Sequence, residues 1–545
     1  MRRSLGGLLI ALVLSGCTVG PDYRRPEVVV PSTFRGATPV ATPDVRSFGD
    51  LEWWMVFRDE QLEALIRTAL EQNYDLRVAA TRILQARDQV VIARSFQFPT
   101  ADGLIAAPYD RATGGNKPPN YETFTPHGGL NVAWELDLWG RFRRATEAAR
   151  ADLLATEEFR RTVVLTLVSD VARTYFTLRE LDLELEISKH TLATRKDFLE
   201  LTKAREEGGV ATLMDVRQAE QLYFSAAATI ADLERRIEQQ ENLISILLGK
   251  YPEGIPRGRS LTQQALAPAV PPALTSDLLA RRPDIRQAEQ QLVSANARIG
   301  EAKALLFPSV VISGFAGAGG AVINGTGFGP FGAFSAFPTL TLPIFNMGRL
   351  QAGVDFNEAR TQEALLRYDQ AIQQAFGEVS DALVGVRKRR EVREQTEATV
   401  VAQRDALQLA TLRYEGGVTS FLEVLVTERD LFDAELVLAQ ARREEILAFV
   451  TLYKALGGGW QTEAPLPAPT ASSGHDQQNV SLSTGKDGLP SQGGSGGLGT
   501  APAVAAEAPR SNGAEAAGGG AAPGDADRGL WDSVKSFLGK WIPRW

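Results

Sequence analysis

The 545-residue chain contains one cysteine and three histidines. A lone cysteine makes no internal disulfide. His127, His190 and His475 stand far apart without metal-ligand spacing, so no metal centre is expected. Beyond the N-terminus no stretch approaches the roughly 18 uninterrupted apolar residues of a membrane-spanning helix. There is no phosphate-binding loop and no nucleophile motif. The formal net charge of -8 argues against nucleic acid as a partner. No carboxylate pair stands out among the 66 acidic residues, which read mainly as solvated helix faces, and no enzyme activity is expected. What remains, 44% hydrophobic and 23% charged, is an ordinary composition for a folded protein.

The cysteine that is present has a telling place. Arg2 and Arg3 precede an apolar run, Leu5–Leu14, that ends in small residues. That pattern predicts a secretory signal peptide over 1–16. Leu14-Ser15-Gly16-Cys17 resembles the bacterial lipobox, which implies acylation of Cys17 at its sulfur and its new amino terminus. Thr18 follows, where an aspartate commonly retains such lipoproteins in the inner membrane, so the resemblance implies transport to the outer membrane. Several acyl chains anchor stably where one does so only marginally. No cofactor beyond this covalent lipid is expected.

The chain also repeats itself. "EEGGVATLMDV" at Glu206–Val216 returns as "YEGGVTSFLEV" at Tyr414–Val424, and Gly249 returns as Gly457, 208 positions on. "NYDLRVAATRI" from Asn73 resembles "RPDIRQAEQQL" from Arg282, and "LWGR" at Leu138–Arg141 matches "NMGR" at Asn346–Arg349. The expected organisation is a segment 17–72, a first unit 73–249, a linker 250–281 with a Pro-rich stretch, and a second unit 282–457. Each unit begins with a helix, over about Asn73–Phe96 and Asp284–Leu306. A region of strand character follows, then a proline-free helix, Arg141–Glu207 or Arg349–Glu415. A Gly-Gly turn and a last helix end the unit.

Val164, Val168, Val171, Tyr175 and Leu178 step by 4, 3, 4, 3, as do Ile372, Phe376, Val379, Leu383 and Val386. This is the heptad seam of a coiled coil. In the strand regions Leu130, Val132, Trp134, Leu136 and Leu138 alternate with Asn131, Ala133, Glu135 and Asp137, and Leu340, Leu342 and Ile344 alternate with Thr339 and Thr341. The other strand of each unit, near Thr100–Tyr109 and Pro308–Ala318, is rich in Gly and Ala, and the sequence does not assign its faces. Two strands per unit give four per chain. Four strands cannot close a barrel, and open sheet edges do not survive in lipid, so strands must be pooled between copies. Eight strands fill their own interior, whereas twelve leave a lumen, which suits a polar inner face and favours a trimer.

These features together resemble the TolC-type outer-membrane efflux channels, in their lipoprotein branch. The resemblance rests on "GCTVGPDYRRP" at Gly16–Pro26, "LEWWMVFRDEQLEALIRTALEQNYDLRVAATRI" at Leu51–Ile83, and "RYEGGVTSFLEVL" at Arg413–Leu425, within 17–460. It implies an α+β membrane protein: a homotrimer with a twelve-strand transmembrane β-barrel continuous with a twelve-helix periplasmic α-barrel. The implied function is a passive exit duct for drugs or other solutes. Its implied partners are a periplasmic adaptor protein and an inner-membrane pump, often of the RND type. The alternative is the duct of a type I protein or peptide secretion system.

The resemblance puts Gly208, Gly209 and Val210, with Gly416, Gly417 and Val418, at the periplasmic tips that meet the adaptor. It carries a cation-binding gate carboxylate to Glu423, and more weakly to Asp215. Tyr414, Arg217 and Thr419 are implied as ties of the closed state. The sequence departs from the family where a second carboxylate is replaced by Val426 and an arginine by Thr419.

From 458 to 528 the chain is Gly-, Ala-, Pro- and Ser-rich and is expected to be a disordered tether. The last segment, 529–545, reads as a short basic amphipathic helix edged by Trp531 and Trp541, suited to an anionic bilayer or a partner groove.

Overall fold

A computed structural model describes residues 18–31, 33–35, 59–112, 121–264 and 277–458. The expected signal segment, Cys17, the C-terminal tail and the final helix expected from sequence lie outside the described residues. Asp59 starts helix α1 (Glu60–Gln72) by accepting from the Gln61 and Leu62 amides. Asn73 does the same for α2 (Tyr74–Ser95), accepting from the Leu76 amide at 3.0 Å while its own amide donates to the Leu247 carbonyl at 2.9 Å. Strands β1 (Thr100–Ala106), β2 (Tyr109–Ala112), β3 (Tyr121–Phe124) and β4 (His127–Leu136) follow, then α3 (Arg141–Glu207) and α4 (Leu213–Leu247). After a short helix, α5 (Asp277–Arg281), the order returns as α6 (Pro283–Ala304), β5 (Ser309–Ile323), β6 (Thr326–Thr341), α7 (Arg349–Glu415) and α8 (Phe421–Ala455). The twins match in length: α3 and α7 have 67 residues each, α4 and α8 have 35. At 1.5 Å per residue the longer pair are rods of about 100 Å.

The strands form one antiparallel sheet. β5 pairs along its length with β4 and then with β3, so β4 and β3 are successive pieces of one lane. β1 and β2 make the next lane through their pairing with β4 and β3. β6 pairs with the other side of β5. The lane order is therefore β1/β2, β4/β3, β5, β6. The helices keep the same order, since α2 packs on α3, α3 on α6 and α6 on α7. The agreement has a simple cause: β1 continues α2, β4 leads into α3, β5 continues α6 and β6 leads into α7. Past α2 and α6 the rods continue as hairpins, with α3 against α4, α7 against α8, and α8 against α3.

Two strand ends differ from the sequence-based expectation. β4 stops at Leu136 and β6 at Thr341, leaving Leu138, Leu342 and Ile344 outside the strands. Asp137 turns back to cap α3, accepting from the Phe142 and Arg143 amides at 3.2 and 2.9 Å. Pro343 has no amide to donate to a ladder. Alternation in sequence thus ran on past the point where hydrogen bonding ends.

The core lies where the seams meet. Val168, Val171, Tyr175 and Leu178 of α3 are buried with Ile372 and Val379 of α7, beside half-buried Val164, Phe376, Leu383 and Val386. Buried charge accompanies them. Glu445 accepts from Arg393 at 2.9 Å and from Arg390 at 3.3 Å, and Glu180 accepts from Arg443 at 2.6 Å across α3 and α8. Burial pushes the Glu180 carboxyl up to about 7, a rise that Arg443 only partly offsets. Because its folded value lies above its unfolded one, this group favours the fold below about pH 4.5 and loses that contribution as pH rises through 7. Glu180→Gln should therefore flatten the difference in thermal stability between pH 5 and pH 7.5, by up to about 3 kcal/mol in wild type, read as the pH dependence of Tm.

Candidate functional site

Register assigns the sheet faces that composition left open. Leu130, Val132, Trp134 and Leu136 of β4 stand opposite Ala316, Gly314, Ile312 and Val310 of β5, which in turn face Phe334, Ala336, Pro338 and Leu340 of β6. Ala101, Gly103 and Ile105 of β1 complete this face. Every side chain in it is apolar, and Ile105, Phe334 and Leu340 are 94%, 83% and 68% exposed. The opposite face carries Thr100, Asp102, Asn131, Glu135, Ser309, Ser313, Ser335, Thr339 and Thr341. Its Phe315 ring lies over two glycines, where a Cβ at Gly129 or Gly317 would come within 2.9 or 2.7 Å of it. An apolar band of such exposure in water would be a liability, and against lipid it is the stable arrangement.

The segment after Cys17 is strapped to the junction of sheet and rods. The Val19 amide donates to the Trp139 carbonyl at 3.1 Å, and Thr18 lies against Gly140, at the start of α3. Buried Arg144 donates to Asp22 at 2.7 Å. Gly20, at φ +101, lies against Gly300, where a Cβ would come 2.4 Å from the Gly300 Cα.

At the far end of the rods each hairpin turns on a glycine pair. The second glycine takes the left-handed conformation, φ +73 at Gly209 and +72 at Gly417, while Gly208 and Gly416 keep φ of -78 and -76. The Val210 and Val418 amides close the turns onto the Arg205 and Arg413 carbonyls at 2.8 and 2.9 Å. Val210 and Val418 are exposed beside Leu213, Met214 and Leu422.

The two acids of the tips differ in role. Asp215 is the return half of a capping box, accepting from the Thr212 amide and hydroxyl at 2.9 and 2.8 Å. Glu423 accepts from the Thr419 hydroxyl and pairs with Arg413 at 3.3 Å. Tyr414 packs its ring on Phe421, centroids 5.2 Å apart, and takes the Arg205 guanidinium over its face at 4.8 Å. Arg217 turns along its own helix to Glu220 at 2.6 Å, away from the Tyr414 group. Glu423, Thr419 and Tyr414 thus gather at the second tip, whereas Asp215 and Arg217 are engaged locally at the first.

Sequence reasoning overlooked Arg413, although it stands in the same "RYEGG" motif. It also missed the cluster beneath the tips, where Phe421, Val424 and Leu425 bury against Leu199, Val216, Ala219 and Ala410. Above that cluster Arg195 meets Glu428, a pair separated by 233 positions with no local signal.

An exposed apolar sheet face, a polar opposite face and long paired rods define a chain built to insert in a membrane. Comparison with known proteins gives the family. The profile of the outer membrane efflux protein family matches residues 65–250 and 274–458, and the chain belongs to that family. The toluene efflux pump outer membrane protein TtgI of Pseudomonas putida is 35% identical over 471 residues, covering 82% of this chain and 97% of its own. The cation efflux system protein CusC of Escherichia coli K12 is 33% identical over 454 residues, covering 83% and 98%. Among solved structures, the open state of the Neisseria gonorrhoeae MtrE outer membrane channel superposes with a TM-score of 0.70 at 32% identity, covering 82% and 99%. The protein is an outer-membrane channel of an efflux system, extending into the periplasm.

Phe421→Ala should open the tip cluster at a local cost of about 3–5 kcal/mol. Limited proteolysis with fragment mapping should show faster cleavage around both glycine turns and unchanged resistance in the upper rods.

Proposed function

We propose that three copies of this chain close into a passive duct, with twelve strand lanes around a lumen and twelve helices around its periplasmic continuation. The observation that carries this reading is the common order of sheet and rods. One edge of the chain is β1/β2 with α2, and the other is β6 with α7. Joining the first edge of one copy to the second edge of the next pairs the open strand edges and covers the exposed apolar residues of α2 (Tyr74, Val78, Val91, Ile92) and of α7 (Phe356, Leu366). The apolar face then meets lipid and the face with Asp102, Asn131 and Glu135 lines the lumen. Cys17 carries the acyl anchor. The strap supports this, because Thr18 already lies at the junction of sheet and rods, the height of the inner leaflet.

The tips at Gly208–Val210 and Gly416–Val418 receive the periplasmic adaptor, and the energy comes from an inner-membrane pump, of the RND type. The exposed valines and leucines there are a docking surface for apolar adaptor residues. Relatives named for toluene and cation efflux favour solute export over protein secretion. Glu423 is the gate carboxylate: on a three-fold axis three copies repel, and a bound cation relieves them. Asp215, held in its capping box, contributes little.

In planar bilayers the purified trimer should conduct with cation selectivity and be blocked by divalent ions from the periplasmic side. Glu423→Ala should weaken both at least several-fold, and unchanged block would move the gate elsewhere. Cys17→Ser should leave a folded trimer with weaker membrane retention, and an unmodified thiol at position 17 of the mature protein would sink the anchor.

A further inference from the structure

By register, the sheet face that carries Asp102 and Asn131 also carries three phenylalanines. Phe315 stands opposite Asn131 of β4 and Ser335 of β6, and Asn131 stands opposite Asp102 of β1. Phe337 is two positions from Ser335 and so diagonal to Phe315, and Phe331 shares a row with His127 through Gly319. Rings on a face rich in serine and threonine need a reason. Phe315 has a structural one: its ring covers Gly129 and Gly317 and meets the His127 ring edge-on, centroids 6.1 Å apart at 87°. Phe331 and Phe337 have none. They are 49% and 55% exposed, and neither meets another ring or a cation among the described residues. A neighbouring strand laid beside β6 would pair its edge and leave these rings on the open face.

The internal repeat shows that the lanes do not require rings here. Shifts of 209 for β5 and 208 for β6 carry Phe315 to Ala106, Phe337 to Gly129 and Phe331 to Thr123, while Asp102 corresponds to Val311. The patch therefore occurs once per chain.

Its charge points to what it holds. Glu135 on the same face is taken by Arg141 at 3.0 Å, whereas Asp102 is exposed and in no ion pair among the described residues. The Phe315 ring leans from β5 over Gly129 of β4, so it ends one lane, about 5 Å, from β1 and Asp102. We infer that this face holds a binding site for small aromatic cations: the solute's ring stacks on Phe315 between Phe337 and His127, and its ammonium turns to the Asp102 carboxylate. Ring contact and charge act together, since a phenyl face also attracts an ammonium. Phe331 offers a further ring along the same face.

The inference rests on the duct proposed above, with this face lining the lumen, and the experiment separates the two. The probe is benzyltrimethylammonium, with tetramethylammonium as the cation without a ring and benzyl alcohol as the ring without a charge. Binding to the full-length protein in detergent is read by saturation-transfer NMR on the probe's protons, which needs no conducting pore. Block is read on the trimer in planar bilayers, in wild type and in Glu423→Ala so that the tips do not contribute. Wild type should show saturation transfer and block at millimolar probe. Phe315→Leu, which keeps the glycines covered, Phe337→Ser and Asp102→Asn should each weaken binding and block several-fold. Should one variant fail to fold, the other two decide. Tetramethylammonium binding as well as the probe would overturn the part given to the rings, and benzyl alcohol binding as well would overturn that of Asp102. Undiminished binding by the folded variants would overturn the site. A trimer that binds the probe yet does not conduct would instead sink the duct and leave the site standing.

Discussion

A strand edge in hydrocarbon has no water to satisfy its amides and carbonyls, at a cost of several kcal/mol for each orphan group. This chain presents two such edges, the β1/β2 lane and β6, on either side of a sheet with one face apolar from Leu130 to Leu136 of β4 and across their partners on β5 and β6. The apolar face calls for lipid, and lipid forbids the open edges. The two demands are compatible only when edges meet edges. Because each strand runs directly into a rod, the helices inherit the order of the lanes, and closing the sheet closes the rods as well.

The duplication makes this closure economical. Two similar units lay down near-equivalent lanes and hairpins, so one set of packing rules serves both halves of the chain. The units have nonetheless diverged where they touch. α8 buries sixteen of its residues, among them Glu428 and Glu445, while α4 buries seven, none of them charged. The second hairpin is the member already packed within its own chain. The first leaves more of its outer face exposed, Phe224 included.

Charge follows the same division. Arg195–Glu428, Arg443–Glu180 and Arg393–Glu445 are held deep between helices, where removing one partner is expensive. The first tip spends its acid on a capping box, and the second leaves Glu423 joined only to its own turn by Thr419 and Arg413. Two tips of nearly the same sequence are thus chemically different, one acid closing a capping box and the other an ion pair with Arg413.

What the sequence determined by itself is what depends on near neighbours. The extent of both long helices, the glycine turns and the heptad seams follow from residues three to four positions apart, from glycine's freedom at positive φ, and from the repeat. Strand ends were legible only to within a few residues, because alternation continued through Leu138 and Ile344 after the ladder had stopped. Tertiary structure alone decided the rest. Which face of the Gly- and Ala-rich strands is apolar depends on register against β4 and β6, and a slip of one residue would exchange the faces. Asp215 and Glu423 occupy equivalent positions and were set apart by what surrounds them, a threonine cap on one side and Arg413 on the other. Arg195 finds Glu428 across 233 positions because two rods are packed side by side, a relation fixed by burial between distant segments and written in no local pattern.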